Sequence, residues 1–207
     1  MHYFTSVEKQ TDNPFLNLYH MNAIKRDGSP FDYYFASRIA LPEHIHALTG
    51  EYRAEGISIY AVKEDDPGQI LMVKQYRYPV GREVYELPAG LVDGDESASE
   101  AAIREIREET GLTLSVVYDS SANRSGSQSL VPGFSDETCA FVYGTVSGNI
   151  TSEYLEDTER ITAFFADKIE VGHILKEEFV AARPFASLLL FLQSDETRPF
   201  AFLDAIR

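Results

Sequence analysis

The chain has 207 residues, 44% of them hydrophobic, which is enough for one domain with a real core, or for a compact domain with a smaller appendage, without disulfides. A formal net charge of −15 and a pI near 4.7 exclude the basic stripe that a nucleic-acid backbone requires, so an anionic substrate must be met by local arginines or by metal ions. Cys139 is the single cysteine, which excludes an internal disulfide or a cysteine-based zinc cluster and leaves it the role of a small buried hydrophobe.

The opening MHYFTSVEKQTDNPF has neither the charged start nor the apolar run of a signal peptide, and no apolar stretch approaches a membrane span. The expectation is a soluble cytoplasmic protein with no membrane or nucleic-acid partner. From Phe15 to Ala40, Tyr, Phe and Leu are interrupted by Arg26-Asp27-Gly28-Ser29-Pro30, a turn signal that predicts an antiparallel hairpin. Ile57 to Val62 and Ile70 to Gln75 flank the strong turn KEDDPGQ, and Val84 to Leu87 is the next apolar patch; these read as central strands.

An acidic helix follows. Ser97 with Glu100 forms a capping-box pattern, and Gly111 can take the left-handed conformation that ends the helix. Glu105 and Glu109 lie about 40° apart on it, Glu108 flanks them, and Ala101 and Ala102 occupy the preceding turn of the same face. Ile103 and Ile106 are expected to point the other way, toward a core, leaving the carboxylates over small residues with room for a ligand. Like charges at this spacing repel. Hard oxygen donors gathered so suit Mg²⁺, or Mn²⁺, held by a few carboxylates, waters and substrate phosphates; the alternative is a solvated face whose ion-pair partners are Arg104 and Arg107.

Beyond the helix, strands are expected at Leu112 to Tyr118, around Thr138 to Thr145 and at Ile161 to Ala166. The polar loop SSANRSGSQ and the acidic loop from Ser147 to Glu159 separate them. KIEVGHILKEEF and PFASLLLFLQ are helical candidates, the second with Pro184 near its start. The mixture indicates an α/β or α+β layered domain. His44 and His46 alternate at a spacing that suits no helical ligand pair, so a structural role is expected for both.

Gly90, Glu96, Arg104, Glu105, Glu108, Glu109 and Gly111, with aliphatic Ile106 and Leu112, match the pattern G-x5-E-x7-R-E-U-x-E-E-x-G-U in full. At roughly 7% per fixed residue, such a match arises by chance on the order of once in 10⁸ windows. This is the Nudix box, and the chain resembles the Nudix hydrolases, which cleave a nucleoside diphosphate linked to another moiety. The resemblance implies an α/β/α sandwich with a mixed sheet. It implies metal ligation by Glu105 and Glu109 first, with Glu108 third and the Ala89 carbonyl as an extra ligand; Glu108 and Arg104 also stand among the catalytic candidates. Arg104 is expected to hold a glutamate in place, because its fork matches a carboxylate, and Glu96 to support it.

QYRYPVGREVYELPAG, from Gln75 to Gly90, and VPGFSDE, from Val131 to Glu137, are similar to segments of ADP-ribose pyrophosphatases. By that resemblance Arg77 and Arg82 are candidates to contact the diphosphate, Glu86 to bind substrate or structure the loop, and Glu137 to contact the terminal ribose region. A general base is expected from SEYLEDTERI, with Glu159 first and Glu156 and Asp157 behind it. The subfamily also implies a small N-terminal antiparallel β-extension, residues 1–50, that supports a homodimer, and a Nudix domain over residues 51–207. The expected activity is metal-dependent hydrolysis of ADP-ribose to AMP and ribose 5-phosphate. The alternatives are hydrolysis of another nucleoside diphosphate sugar, such as a GDP- or UDP-sugar, and a non-catalytic ADP-ribose sensor. The long SSANRSGSQ loop, which sets Pro132 farther from the box than is usual in the subfamily, puts the sugar specificity in question.

Overall fold

The computed structural model describes residues 3–123, 127–155 and 160–206; the base candidates Glu156, Asp157 and Glu159 lie outside the described residues. In chain order the elements are β1 (Phe4–Lys9), β2 (Asn17–Ile24), β3 (Pro30–Ser37), α1 (His46–Thr49), β4 (Gly56–Lys63), β5 (Ile70–Arg77), β6 (Arg82–Glu86), β7 (Ala89–Leu91), α2 (Ala98–Thr110), β8 (Thr113–Asp119), β9 (Gln128–Ser129), β10 (Thr138–Ser147), β11 (Ile161–Ala166), α3 (Lys168–Glu177) and α4 (Ala182–Gln193). Two compact units result, residues 1–55 with 125–139, and residues 56–124 with 140–207. The first takes in a segment that a linear division at residue 50 assigns to the larger domain.

In the first unit, β2 and β3 form the hairpin expected around Arg26–Pro30, in continuous register from Asn17↔Ser37 to Ile24↔Pro30. β1, absent from the sequence-based expectation because FTSVEK alternates weakly, adds antiparallel to β2. Tyr19, Phe35 and Ile45 make the core of this unit, and the buried Tyr19 hydroxyl donates to the Ile39 carbonyl at 2.7 Å. The 127–139 segment is stitched to β3: the Ala36 N–H donates to Phe134 O at 2.9 Å, Tyr33 Oη to Gly133 O, and Ser37 Oγ to Asp136.

The second unit is built on a sheet in the order β11-β5-β4-β10-β8. Its pairings are mostly antiparallel, but β10 runs alongside β4 in the same direction, with the Glu64 N–H donating to Val146 O, so the sheet is mixed. Side chains alternate across a strand. Tyr60 and Val62 of β4 pack with Ile70, Met72, Ile174, Leu188 and Phe191 in a core roofed by α3 and α4. Ile57, Ile59 and Ala61, equally buried, point to the opposite face, where α2 lies beside β4, β7 and β8. The result is an α/β/α sandwich. Among the described residues no helix is long and apolar enough to cross a membrane.

One irregularity of this sheet positions the site. β4 and β5 are paired at Val62↔Ile70 and then part company. β6 takes over the edge of β5 from Val73↔Glu86 to Arg77↔Arg82, while β7 takes over the edge of β4 at Ser58↔Ala89 and Ile57↔Gly90. The short connection Leu87-Pro88 joins the two, and the Ile59 N–H donates to Pro88 O at 2.9 Å. The chain therefore enters α2 from inside the opening of its own sheet.

Candidate active site at the split of the sheet

α2 begins and ends as its sequence dictates. Ser97 Oγ accepts from the Glu100 N–H and the Glu100 carboxylate accepts from the Ser97 N–H, a reciprocal capping box. Gly111 closes the helix at φ 74°, its N–H bonded to Arg107 O. It leaves no room for a Cβ, since one there would strike the Thr151 methyl. The Thr151 N–H in turn satisfies the Thr110 carbonyl at 2.9 Å.

The orientation of the helix differs from the expectation. Ala98, Ala101, Ala102 and Ile106 are buried, whereas Ile103 is 45% exposed. At about 100° per residue, Glu105 and Glu109 fall between Ala101 and Ala102, in the middle of the buried face rather than opposite it. Ile103 sits beyond its rim, lining a surface groove of about 560 Å³ with Arg107, Glu108 and Tyr154. The alanines therefore do not clear space for a ligand above an open face. They let α2 press its carboxylates against the sheet, and Glu109 is only 4% exposed. Hydropathy assigns both isoleucines to the core; Ile106 is there, at the edge of the buried stripe, but Ile103 is not, because the stripe is centred on the small residues.

Gly90 and Arg104 explain how Glu105 is seated. A Cβ on Gly90 would overlap the Glu105 carboxyl, so that carboxyl lies directly on the β7 backbone. Arg104 spends all its N–H groups nearby. Nε and Nη2 bind Glu96 at 3.3 and 2.7 Å, Nη2 also reaches Leu91 O at 3.0 Å, and Nη1 bridges Glu105 at 2.9 Å and Glu108 at 3.0 Å. These bonds, that to Glu96 foremost, raise the guanidinium above its ordinary range and hold the Glu96 carboxyl below its own. Glu96 also accepts from the Asp93 N–H at 2.7 Å, which ties the loop before the helix to the same cation.

The β5–β6 hairpin supplies the other charges. Arg77 Nε donates to the buried Glu86 carboxylate at 2.6 Å. Arg82 is paired with Arg77 across the strands, and its guanidinium rests on the Phe179 ring, 4.6 Å from the centroid. Glu137 is in the first unit, where it accepts from Arg38 Nε at 3.2 Å. Ala89, the candidate carbonyl ligand, opens β7 opposite Ser58. Phe179, Thr151 and Tyr154, whose ring faces the Arg107 guanidinium at 5.5 Å, belong to the surroundings of these groups and carry no local signal in the sequence. His46 is buried in the first unit beside Tyr52, with Nε2 3.9 Å from Glu55, and Cys139 is buried and forms no disulfide.

The model of the NUDIX domain family matches residues 54–188 of this chain. The chain belongs to the Nudix hydrolase family. Among relatives, "Putative nudix hydrolase 2" of Caenorhabditis elegans is 38% identical over 132 residues, 60% of this chain and 57% of that protein. An ADP-ribose pyrophosphatase of Saccharomyces cerevisiae is 33% identical over 118 residues, 53% of this chain and 49% of its own length. One of Mycobacterium tuberculosis is 44% identical over 85 residues, 39% and 37% of the two chains. The Nudix chain thus spans about half, or less, of the length of these relatives. A solved structure, "Crystal structure of ADP compounds hydrolase", superposes with a TM-score of 0.64 over 92% of this chain and 91% of its own, at 15% identity, and shares the fold.

The Nudix donor set fits a hard divalent cation. Glu105, Glu108, Glu109 and the Ala89 carbonyl offer oxygen alone, and the absent side chain of Gly90 makes the cradle in which the first of them sits. Among the described residues no three carboxylate, imidazole or thiol groups already stand at ligand geometry; the Arg104 guanidinium stands between Glu105 and Glu108.

Proposed function

We propose that this Nudix protein is a divalent-metal-dependent pyrophosphohydrolase that cuts ADP-ribose to AMP and ribose 5-phosphate, with Mg²⁺ the expected ion and Mn²⁺ a substitute. The observation that carries the reading is the placement of Glu105 and Glu109 on the buried face of α2, against the opening of the sheet, with Gly90 vacating the space for a carboxyl. Arg104 already pairs with Glu105 and Glu108 there, and these carboxylates together with that of the nearly buried Glu109 still offer an excess of hard oxygen and negative charge for a further cation. Glu105, Glu109, Glu108 and the Ala89 carbonyl would hold the metal, which when bound offsets the diphosphate charge and lowers the pKa of an attacking water.

The residues of the chain divide the remaining work. Arg77 and Arg82 bind the diphosphate oxygens through directional, charge-assisted bonds. Glu86 keeps Arg77 aimed, and Arg104 keeps Glu105 and Glu108 in register with Glu96 behind them. Glu159, or Glu156, takes the proton of the attacking water. Glu137 is assigned to the terminal ribose region. The similarity to ADP-ribose pyrophosphatases over the box and its flanks supports the choice of substrate. The first unit is the proposed dimerisation region of a homodimer, a reading supported by Leu18 and Tyr34 exposed on β2 and β3.

Hydrolysis of a panel containing ADP-ribose, GDP-mannose, UDP-glucose, NADH and diadenosine polyphosphates, with Mg²⁺, with Mn²⁺ and with chelator, tests the reading. Metal-dependent preference for ADP-ribose is the expected result. Preference for a GDP- or UDP-sugar would replace the substrate and keep the chemistry. Tight ADP-ribose binding with no turnover of any member would overturn the enzyme reading in favour of a sensor.

A further inference from the structure

Arg77 and Arg82 are direct partners across the β5–β6 hairpin, and like charges so placed oppose pairing. Arg77 is ion-paired with Glu86 through Nε. Among the described residues Arg82 makes no ion pair, although the chain carries an excess of acids; its guanidinium lies instead over the Phe179 ring. Phe179 is fixed there by the backbone. The Tyr85 N–H donates to Phe179 O at 2.9 Å and the Ala181 N–H to Tyr85 O at 3.2 Å, so the connection between α3 and α4 runs as a short parallel bridge along the edge of β6. Phe179 is 41% exposed, comparable with Phe185 and Phe31, so the position of its ring against the Arg82 guanidinium, and not its exposure, is the informative feature.

We propose that Phe179 is a positioning residue for the diphosphate: its ring holds the Arg82 guanidinium at the turn end of the hairpin while consuming none of its charge. A carboxylate in the same place would hold the side chain equally well, but would neutralise the cation and occupy its N–H fork. An aromatic face attracts the cation and leaves the fork available for phosphate oxygens. Lys74, on the opposite face of the hairpin, shows the contrast, since it is committed to Glu83 while it also lies over Tyr85. The inference rests on the reading of Arg82 as a diphosphate contact.

The test is a double-mutant cycle read as KM and kcat for ADP-ribose, with thermal stability measured alongside. At an exposed cation–π site the loss corresponds to a rise of roughly two- to fivefold, so Phe179→Leu should raise KM by that factor with kcat within about twofold of wild type. Phe179→Tyr, which keeps the ring, should restore the wild-type KM. In an Arg82→Gln background, Phe179→Leu should add nothing. An equal effect of Phe179→Leu in both backgrounds, or failure of the tyrosine to rescue, would overturn the positioning role and leave Phe179 as packing. If Arg82→Gln leaves KM unchanged while hydrolysis proceeds, the reading of Arg82 fails and takes the inference with it. If no substrate is turned over, the ADP-ribose dissociation constant replaces KM with the same expected ratios.

Discussion

Gly90→Ala separates the site from the fold. The glycine has no positive φ, so alanine suits the backbone there, and the β7 pairing with Ile57 is made by main-chain atoms. What the new methyl meets is the Cδ, Oε1 and Cγ of Glu105, all inside the 3.0 Å that real Cβ atoms respect. Those atoms form the far end of a flexible side chain. The carboxyl can swing away by on the order of 1 Å or more, and the fold absorbs the change; alanine even restricts the unfolded chain slightly, worth about 0.4–1 kcal/mol. For catalysis, a displacement of that size costs on the order of 10²-fold. It also breaks the 2.9 Å bond from Arg104 Nη1 and frees that guanidinium toward Glu108. The expected outcome is a loss of about 100-fold in kcat/KM for ADP-ribose, with a melting temperature within a few degrees of wild type. Glu105→Ala should match the defect, and combining the two changes should add little. Activity within threefold of wild type would refute the seating of Glu105 on Gly90, and a large fall in melting temperature would show the glycine to be a folding requirement instead.

Glu109→Gln should abolish turnover while leaving ADP-ribose binding measurable by calorimetry; unchanged turnover would remove Glu109 from the metal ligands. Gly144→Ala should act on stability alone, by about 1–3 kcal/mol in denaturant unfolding, because the added Cβ would meet the Ser115 carbonyl of β8, a backbone atom that cannot step aside. In the first unit burial raises the carboxyl pKa of Glu55, and likewise of Asp136, with His46 opposing. The unfolded chain gives up these protons near pH 4 and the folded unit keeps them to higher pH, so stability falls as pH rises through the raised values. Glu55→Gln should therefore stabilise the protein at pH 7 to 8 and lose that advantage near pH 4, which thermal unfolding across pH would show; an advantage independent of pH would contradict it.

Much of the second unit can be read from residues because its signals are local. The turn KEDDPGQ, the Ser97–Glu100 cap and Gly111 each fix a boundary within a few residues, and the fixed positions of the box name the acids. What could not be read is which way those elements face. Ile103 looks like core by hydropathy, but the packing of α2 is decided by how closely Ala101 and Ala102 let it approach the sheet, a distance that no single position encodes. Phe179 and Thr151 were invisible for the same reason. Their partners, Arg82 and Gly111, are remote in sequence, and the contacts exist only once β6 has gained its extra edge and α2 its C-terminal cap.

The first unit carries a consequence for synthesis. Its sheet is complete by Ser37, yet Ala36, Tyr33 and Ser37 direct their donors to Phe134, Gly133 and Asp136, close to 100 residues later. Chain made in order from the N-terminus must wait, with those groups turned to water, until β8 and the whole of α2 have been translated. A product ending at residue 55 is thus an interrupted assembly whose last piece was never delivered.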